Sequence, residues 1–251
     1  MPHPMMENDP TVASGCERVG PIACRACDLN AICRIAGLIA YAGGRPRQST
    51  GALRAIRPGA ALYRAGAPAH AVYAIRLGTI KLARVTLEGE EHIVSFHTPG
   101  EVLGLEAFSQ AGYACDAIAL ETVQACELPL PLLSDRSSQA AELAGELVQL
   151  LSRVAAVPRE LARGSARDRV TNFLLDLSHR LARRGFDPTH LKLSMSRLEI
   201  ANLLDARIET VSRVLQQLHR ERAIHVRGNR VRLLTLASST PLDAAPADRC
   251  S

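Results

Sequence analysis

Between about Ala52 and Leu128, apolar and polar residues alternate in short runs punctuated by glycine. In AVYAIRLGTIKLARVTLEGEEHIVSF, Val72 with Ala74 and Ile80 with Leu82 fall at the two-residue period of strands, and Gly78 and Glu88-Gly89 supply turns. Gly59, Gly66, Gly78, Gly89, Gly100 and Gly104 recur at intervals of roughly ten residues, the rhythm of a small antiparallel β roll or barrel. The period lengthens after Pro131. Residues 137–161 are rich in Ala, Leu and Glu, and Leu143, Leu147, Leu150, Leu151 and Val154 share one face of a helix. That stripe must pack either on its own β domain or, given its near-heptad spacing, on a second copy as a dimer seam. Pro158 predicts a kink or break near Val157, because proline inside a helix costs on the order of 3 kcal/mol.

A further helix is expected from about Ala166 to Arg184, closed by Gly185 and followed by Pro188. Ser196-Arg197-Leu198-Glu199 has the form of a capping box, opening a helix that runs to about Leu204. Asp205-Ala206-Arg207 then turns the chain into a second helix, about Ile208 to Arg222, with Val211, Val214, Leu215 and Leu218 facing inward. Small Ala201 permits a close crossing, so the pair has helix-turn-helix spacing. Ile224 to Leu233 reads as a hairpin about Gly228-Asn229, a wing beside the two helices. The tail after Thr235, rich in Ala, Ser, Pro and Asp, is expected to be disordered.

Charge sharpens this division. Residues 159–232 carry 16 Lys and Arg against 8 Asp and Glu, a net of +8, whereas the rest of the chain nets −3. A basic half joined to a mildly acidic half suggests a nucleic-acid-binding domain attached to one with another task, a solvated basic face being the other reading of the charge alone. Near the start of the second helix Glu209, Ser212 and Arg213 face outward. In a major groove Arg213 can pair bidentately with guanine, Glu209 can accept from cytosine, and Ser212 can serve several bases. Arg227, Arg230 and Arg232 of the wing are placed for phosphates, which set affinity and salt dependence rather than sequence choice. No apolar leader and no run near about 18 unbroken apolar residues is present, so no membrane span and a cytoplasmic location are expected.

The chain has 7 cysteines, and cytosolic thiols are normally kept reduced, which favours metal or redox chemistry over disulfides. Cys24, Cys27 and Cys33 fall within CRACDLNAIC. Clustered thiolates suit zinc or an iron-sulfur cluster, and residue types alone leave the two open. A fourth thiolate would come from Cys16, Cys115, Cys126 or Cys250. An iron-sulfur electron carrier or enzyme would explain the cysteines but leave the winged helix idle. No second catalytic constellation appears, and His92 and His97 are read as ordinary strand residues.

These residues together resemble a known family. The glycine-punctuated β roll, the connecting helix and a winged helix reading ETVSR at Glu209 to Arg213 are similar to the Crp/FNR transcription regulators over nearly the whole chain. The oxygen-responsive FNR group is matched by YAIRLGTIK at Tyr73 to Lys81, LET at Leu120 to Thr122, CELP at Cys126 to Pro129 and RGF at Arg184 to Phe186. The resemblance implies an α+β protein in five parts. They are a cysteine-rich cluster-binding segment (1–50), a β-roll sensor of the cyclic-nucleotide-binding type (51–135), a long dimerisation helix (136–163), a winged helix-turn-helix (164–236) and a disordered tail (237–251).

It further implies a homodimer on two TTGAT-like half-sites of double-stranded DNA read by Glu209, Ser212 and Arg213, with activation through RNA polymerase contacts for which Arg184 and the Gly89 turn are candidates. It selects a [4Fe-4S] cluster on Cys24, Cys27, Cys33 and Cys126, with Cys115 the alternative fourth ligand and Cys16 and Cys250 spare. Attack on the cluster by oxygen would weaken the dimer, and nitric oxide is a second candidate signal. A zinc or thiol redox site is the alternative within the same family. Cyclic nucleotide is not expected. Its phosphate requires an arginine followed by Ser or Thr, yet Glu101 to Thr122 contains no Lys or Arg, and Cys115-Asp116 stands in the place of that pair. Two departures bear on the switch: Asp205 occupies a turn position usually held by glycine, and the connecting helix is about four residues short.

Overall fold

A computed structural model describes residues 27–35, 39–42, 45–49, 52–108, 110–130 and 164–235. Cys24, the expected dimerisation helix with its Leu143 to Val154 stripe and Pro158, and the tail from 237 lie outside the described residues.

A short helix, α1 (Asn30–Ile35), is followed by a hairpin of β1 (Ile39–Ala42) and β2 (Arg45–Ser49), which falls within the stretch expected to be only a cysteine-rich segment. The β roll is two four-stranded antiparallel sheets. One orders β3 (Ala52–Ile56), β10 (Val123–Pro129), β5 (Ala71–Leu77) and β8 (Val102–Leu103). The other orders β4 (Ala61–Tyr63), β9 (Asp116–Ala119), β6 (Ile80–Val85) and β7 (Glu91–His97). Between the sheets pack Ile56, Tyr63, Tyr73, Ile75, Ile80, Leu103, Tyr113 and Val123, while Val72 and Ala74, which the alternation singles out, face the other way into a second apolar cluster because β5 is buried on both faces. Gly78 makes the β5–β6 turn at φ +82°, where a Cβ would also collide with the Thr122 carbonyl.

The C-terminal domain begins with α2 (Ala166–Arg183). Ser165 and Asp168 close a capping box at its start, and Gly185 ends it in a Schellman motif. Its buried stripe is Val170, Phe173, Leu174 and Leu177, at the i, i+3, i+4, i+7 spacing of an amphipathic helix. The expected capping box of Ser196 and Glu199 opens α3 (Arg197–Leu203), and α4 (Ile208–Arg220) buries Val211, Val214, Leu215 and Leu218 as predicted. The connecting turn puts Asp205 at φ +48°, so the left-handed position is filled without glycine. The wing is three-stranded: β11 (His190–Lys192), β13 (Arg230–Leu233) and β12 (Ile224–Arg227), the last two joined through Gly228 at φ +62°. Two strands were expected here, and β11 is the addition.

One apolar cluster crosses from the roll into this domain. Ile93 and Phe96 of β7 pack with Phe173, Leu174, Ile200 and Leu215, and the Phe96 and Phe173 rings meet edge to face at 6.2 Å.

Candidate functional site

The helix-turn-helix and wing carry the exposed arginines Arg207, Arg213, Arg227, Arg230 and Arg232. Glu209 and Arg213 are exposed one turn apart on α4, with Arg213 Nε donating to the Glu209 carbonyl at 3.4 Å, and Ser212 beside them is half-buried. Burial of the opposite stripe fixes these three outward. Arg207, at the N-cap of α4, is exposed and makes no side-chain cap, since a guanidinium cannot accept the hydrogen bonds that a capping side chain takes from backbone amides.

On the wing, Arg230 lies directly opposite Arg227 on one side and Lys192 on the other, while Arg232 lies between His225 and His190. Directly opposed like charges destabilise a sheet, so this arrangement lowers fold stability while concentrating positive charge on a solvent face. Lys192 is drawn back towards the roll by an ion pair with Glu121. Sequence reasoning missed Lys192 and His190 because a three-residue strand is too short to show alternation.

The second site is an apolar cluster at one side of the roll. Cys27 of the segment before α1, Cys33 of α1 and Cys126 of β10 gather with Leu29, Val72, Ala74, Val102, Leu105 and Leu128 in one apolar cluster. Leu29 is fully buried there, so it anchors the cysteine segment against the strands. Arg76 Nη1 lies 3.7 Å from the Cys126 sulfur. Cys115 is buried elsewhere, beside Arg84, whose Nε donates to its sulfur at 3.4 Å. Soft thiol donors at an apolar cluster fit the chemistry of a thiolate-ligated iron-sulfur group, and the apolar shell would limit solvent access to it. Among the described residues no three His, Cys, Asp or Glu side chains converge closely enough to hold one metal ion, Cys24 lying outside them.

At the place where a cyclic nucleotide's phosphate would need an arginine, Asp116 instead accepts from Arg64 Nη1 and from the Ala65 amide, each at 2.7 Å. Its carboxylate is thus engaged and negative. Of the candidate polymerase contacts, the Gly89 turn is exposed, but Arg184 is not. The Arg184 guanidinium is buried, with Nη2 2.6 Å from Asp28 Oδ2 and 3.7 Å from Glu101 Oε1, which takes its side chain off the surface that a polymerase would meet.

Several contacts hold the basic domain against the roll. Arg180 of α2 donates to the Phe96 carbonyl at 2.7 Å and to both oxygens of buried Glu101 at 3.2 Å. Burial opposes ionisation of Glu101, but Arg180, then His97 and Arg184, more than offset it and hold the carboxyl well below the usual carboxylate range. Asn202 of α3 pairs with the edge strand β7, its Oδ1 accepting from the Ile93 amide at 2.7 Å and its Nδ2 donating to the Glu91 carbonyl at 2.8 Å. Glu121 accepts from Thr79 and Ser194, and Lys81 bridges Glu91 and Glu199. Apart from Glu199, which the capping box marks for a different reason, none of these partners carries a local sequence signal. They are isolated polar residues whose meaning depends on which domain faces which. Among the described residues no helix is long and apolar enough to cross a membrane.

Residues 53–135 match the cyclic nucleotide-binding domain family, and residues 168–238 match the Crp-like helix-turn-helix domain family. The chain is 34% identical over 198 residues to the fumarate and nitrate reduction regulatory protein of Yersinia pestis, covering 77% of this chain and 79% of that protein. It is 37% identical over 185 residues to the transcriptional activator protein Anr of Pseudomonas aeruginosa, covering 72% and 76%. Among solved structures, FixK2 from Bradyrhizobium japonicum is similar with a TM-score of 0.65 and 28% identity, over 79% of this chain and 100% of that one. With both domains matched and these identities spanning most of its length, the chain belongs to the Crp/FNR family of DNA-binding transcription regulators.

Proposed function

We propose that the protein is an oxygen-responsive regulator, acting as a cytoplasmic homodimer, whose DNA binding is governed by a [4Fe-4S] cluster held by Cys24, Cys27, Cys33 and Cys126. The observation that carries this reading is that Cys33 and Cys126, distant in sequence, share one buried apolar cluster against which Cys27 packs, with Cys115 placed apart beside Arg84. The names of the relatives, which refer to fumarate and nitrate reduction, add support for control of anaerobic metabolism. When bound, the cluster supplies a thiolate-ligated centre whose chemistry responds to oxidants.

The chain's own residues then do the rest. Leu29 docks the cysteine segment on the β roll. Glu209, Ser212 and Arg213 read base edges in TTGAT-like half-sites, while Arg227, Arg230 and Arg232 meet phosphates. A two-fold DNA site requires two copies with half-sites about one helical turn, roughly 34 Å, apart, and the Leu143, Leu147, Leu150, Leu151 and Val154 stripe is the proposed seam. The exposed Gly89 turn is the proposed contact for RNA polymerase. Cyclic nucleotide has no part in this reading, because Cys115-Asp116 stands where the resemblance puts the phosphate-binding pair, and Asp116 is taken up by Arg64 and the Ala65 amide.

Anaerobic purification tests the proposal. The expected product is brown, contains iron and sulfide, and loses specific DNA binding on exposure to air. A colourless, zinc-containing protein whose DNA binding is indifferent to air would refute the oxygen-sensing part and leave the DNA-binding part standing.

A further inference from the structure

We infer that Asp28 and Arg184 are positioning residues that convey the state of the cysteine segment to the DNA-binding domain, with Glu101 as their shared seat; this rests on the cluster-gated reading above. Asp28 directly follows Cys27 and is tied once to the roll and once to the DNA-binding domain. Its amide donates to the Gly100 carbonyl at 3.1 Å, and its carboxylate receives Arg184 Nη2 at 2.6 Å. Glu101, the next residue after Gly100, is the buried carboxylate that binds Arg180 at 3.2 Å and lies 3.7 Å from Arg184. Two arginines from one turn of α2 therefore meet two carboxylates, one from the roll and one from the cysteine segment. Arg184 Nη1 also donates to the Arg180 carbonyl at 2.8 Å, which ties its guanidinium to the backbone of the last turn of α2.

The charge balance makes this junction conditional. Arg180 has further partners in the Phe96 carbonyl and in Asp176, whose Oδ2 is 3.0 Å from its Nε, and His97 Nδ1 lies 3.3 Å from Glu101. Arg184 has Asp28 at hydrogen-bond distance and Glu101 only as a farther, shared partner. If the segment carrying Cys27 leaves the apolar cluster, Asp28 goes with it, and a buried guanidinium loses its near carboxylate. A buried charge deprived of its partner is strongly unfavourable, so the last turn of α2 is driven to move. Because α2 shares one core with α3 and α4, that movement shifts the base-reading face.

The test uses full-length protein prepared without oxygen, as wild type, Asp28→Asn and Asp28→Glu. DNA affinity is measured before and after exposure to air, alongside visible absorption and hydrogen exchange of the amides at 180–184. Asp28→Asn is expected to keep the wild-type absorption and the cluster-free DNA affinity, but to lose about fivefold or more of its affinity in the cluster-loaded form. Exchange at 180–184 should quicken, and Asp28→Glu should restore both properties. A merely structural role would weaken both forms equally. The inference is overturned if Asp28→Asn switches as the wild type does, or if it loses its visible absorption, since Asp28 would then serve to hold the cluster. A wild type whose affinity ignores air removes the cluster-gated reading itself, and with it this link.

Discussion

Arg230→Ala should weaken DNA binding while leaving the fold as stable as before or slightly more so, and the opposed signs separate a phosphate contact from a structural role. In the wing Arg230 is flanked across the sheet by Arg227 and Lys192. Removing it relieves two like-charge neighbours, worth a few tenths of a kcal/mol. Each phosphate contact contributes about 0.9 to the slope of log K against log salt, so a dimer that loses one contact per protomer should lose about 1.8. Carried from 1 M to 0.1 M salt, that slope corresponds to about 60-fold in affinity. The assay is a salt titration of binding to a two-fold operator by fluorescence anisotropy, on specific and scrambled duplexes, paired with denaturant unfolding. Both duplexes should lose affinity nearly equally. An unchanged slope would refute the assignment of the wing to phosphates, and a loss confined to the specific duplex would make Arg230 a base reader instead.

Cys126→Ser should abolish the visible absorption of anaerobically prepared protein, whereas Cys115→Ser, outside the apolar cluster, should preserve it; the reverse result would exchange their roles. Asn202→Ala leaves the amide of buried Ile93 without its acceptor, at a cost of about 1–3 kcal/mol read as a lower denaturant midpoint. Glu101, with its folded pKa depressed, stabilises the protein above the ordinary carboxylate pKa of about 4.3, and that contribution is lost as pH falls towards the folded value. Unfolding midpoints measured from pH 7 to 3 should therefore fall. Glu101→Gln should start about 3 kcal/mol or more lower and fall less steeply, and parallel curves would show that Glu101 does not carry this term.

Much of the architecture was legible because it is written in local periods. The 2.0-residue alternation placed the strands of the roll, and the 3.6-residue stripe of Val211, Val214, Leu215 and Leu218 placed the recognition helix with its inward face. The capping box at Ser196 worked for the same reason, since both partners lie within four residues. What escaped is non-local. No carboxylate near Arg184 in sequence pairs with it and so marks it as buried, because its partner Asp28 lies 156 residues away. Asn202 reads as an ordinary polar helix residue until β7 supplies an open edge. The cysteines were intermediate. Spacing marked Cys24, Cys27 and Cys33, but only family resemblance pointed to Cys126, and the apolar cluster supplies a physical reason for preferring it to Cys115.

The join between the two domains combines two kinds of interaction that behave differently under perturbation. Ile93 and Phe96 contribute apolar burial that is non-directional and tolerates small sliding. The buried carboxylate of Glu101 and the part-buried one of Glu121 are directional, and each gathers donors from the basic domain: Arg180 and Arg184 on one, Lys192 and Ser194 on the other. A join made only of apolar contacts would hold the domains in many near-equivalent poses, and one made only of charges would be costly to desolvate. With both, the apolar patch keeps the domains together while the carboxylates select one pose. A signal that changes the charge around Glu101 can therefore redirect the recognition helices without first paying to separate the domains.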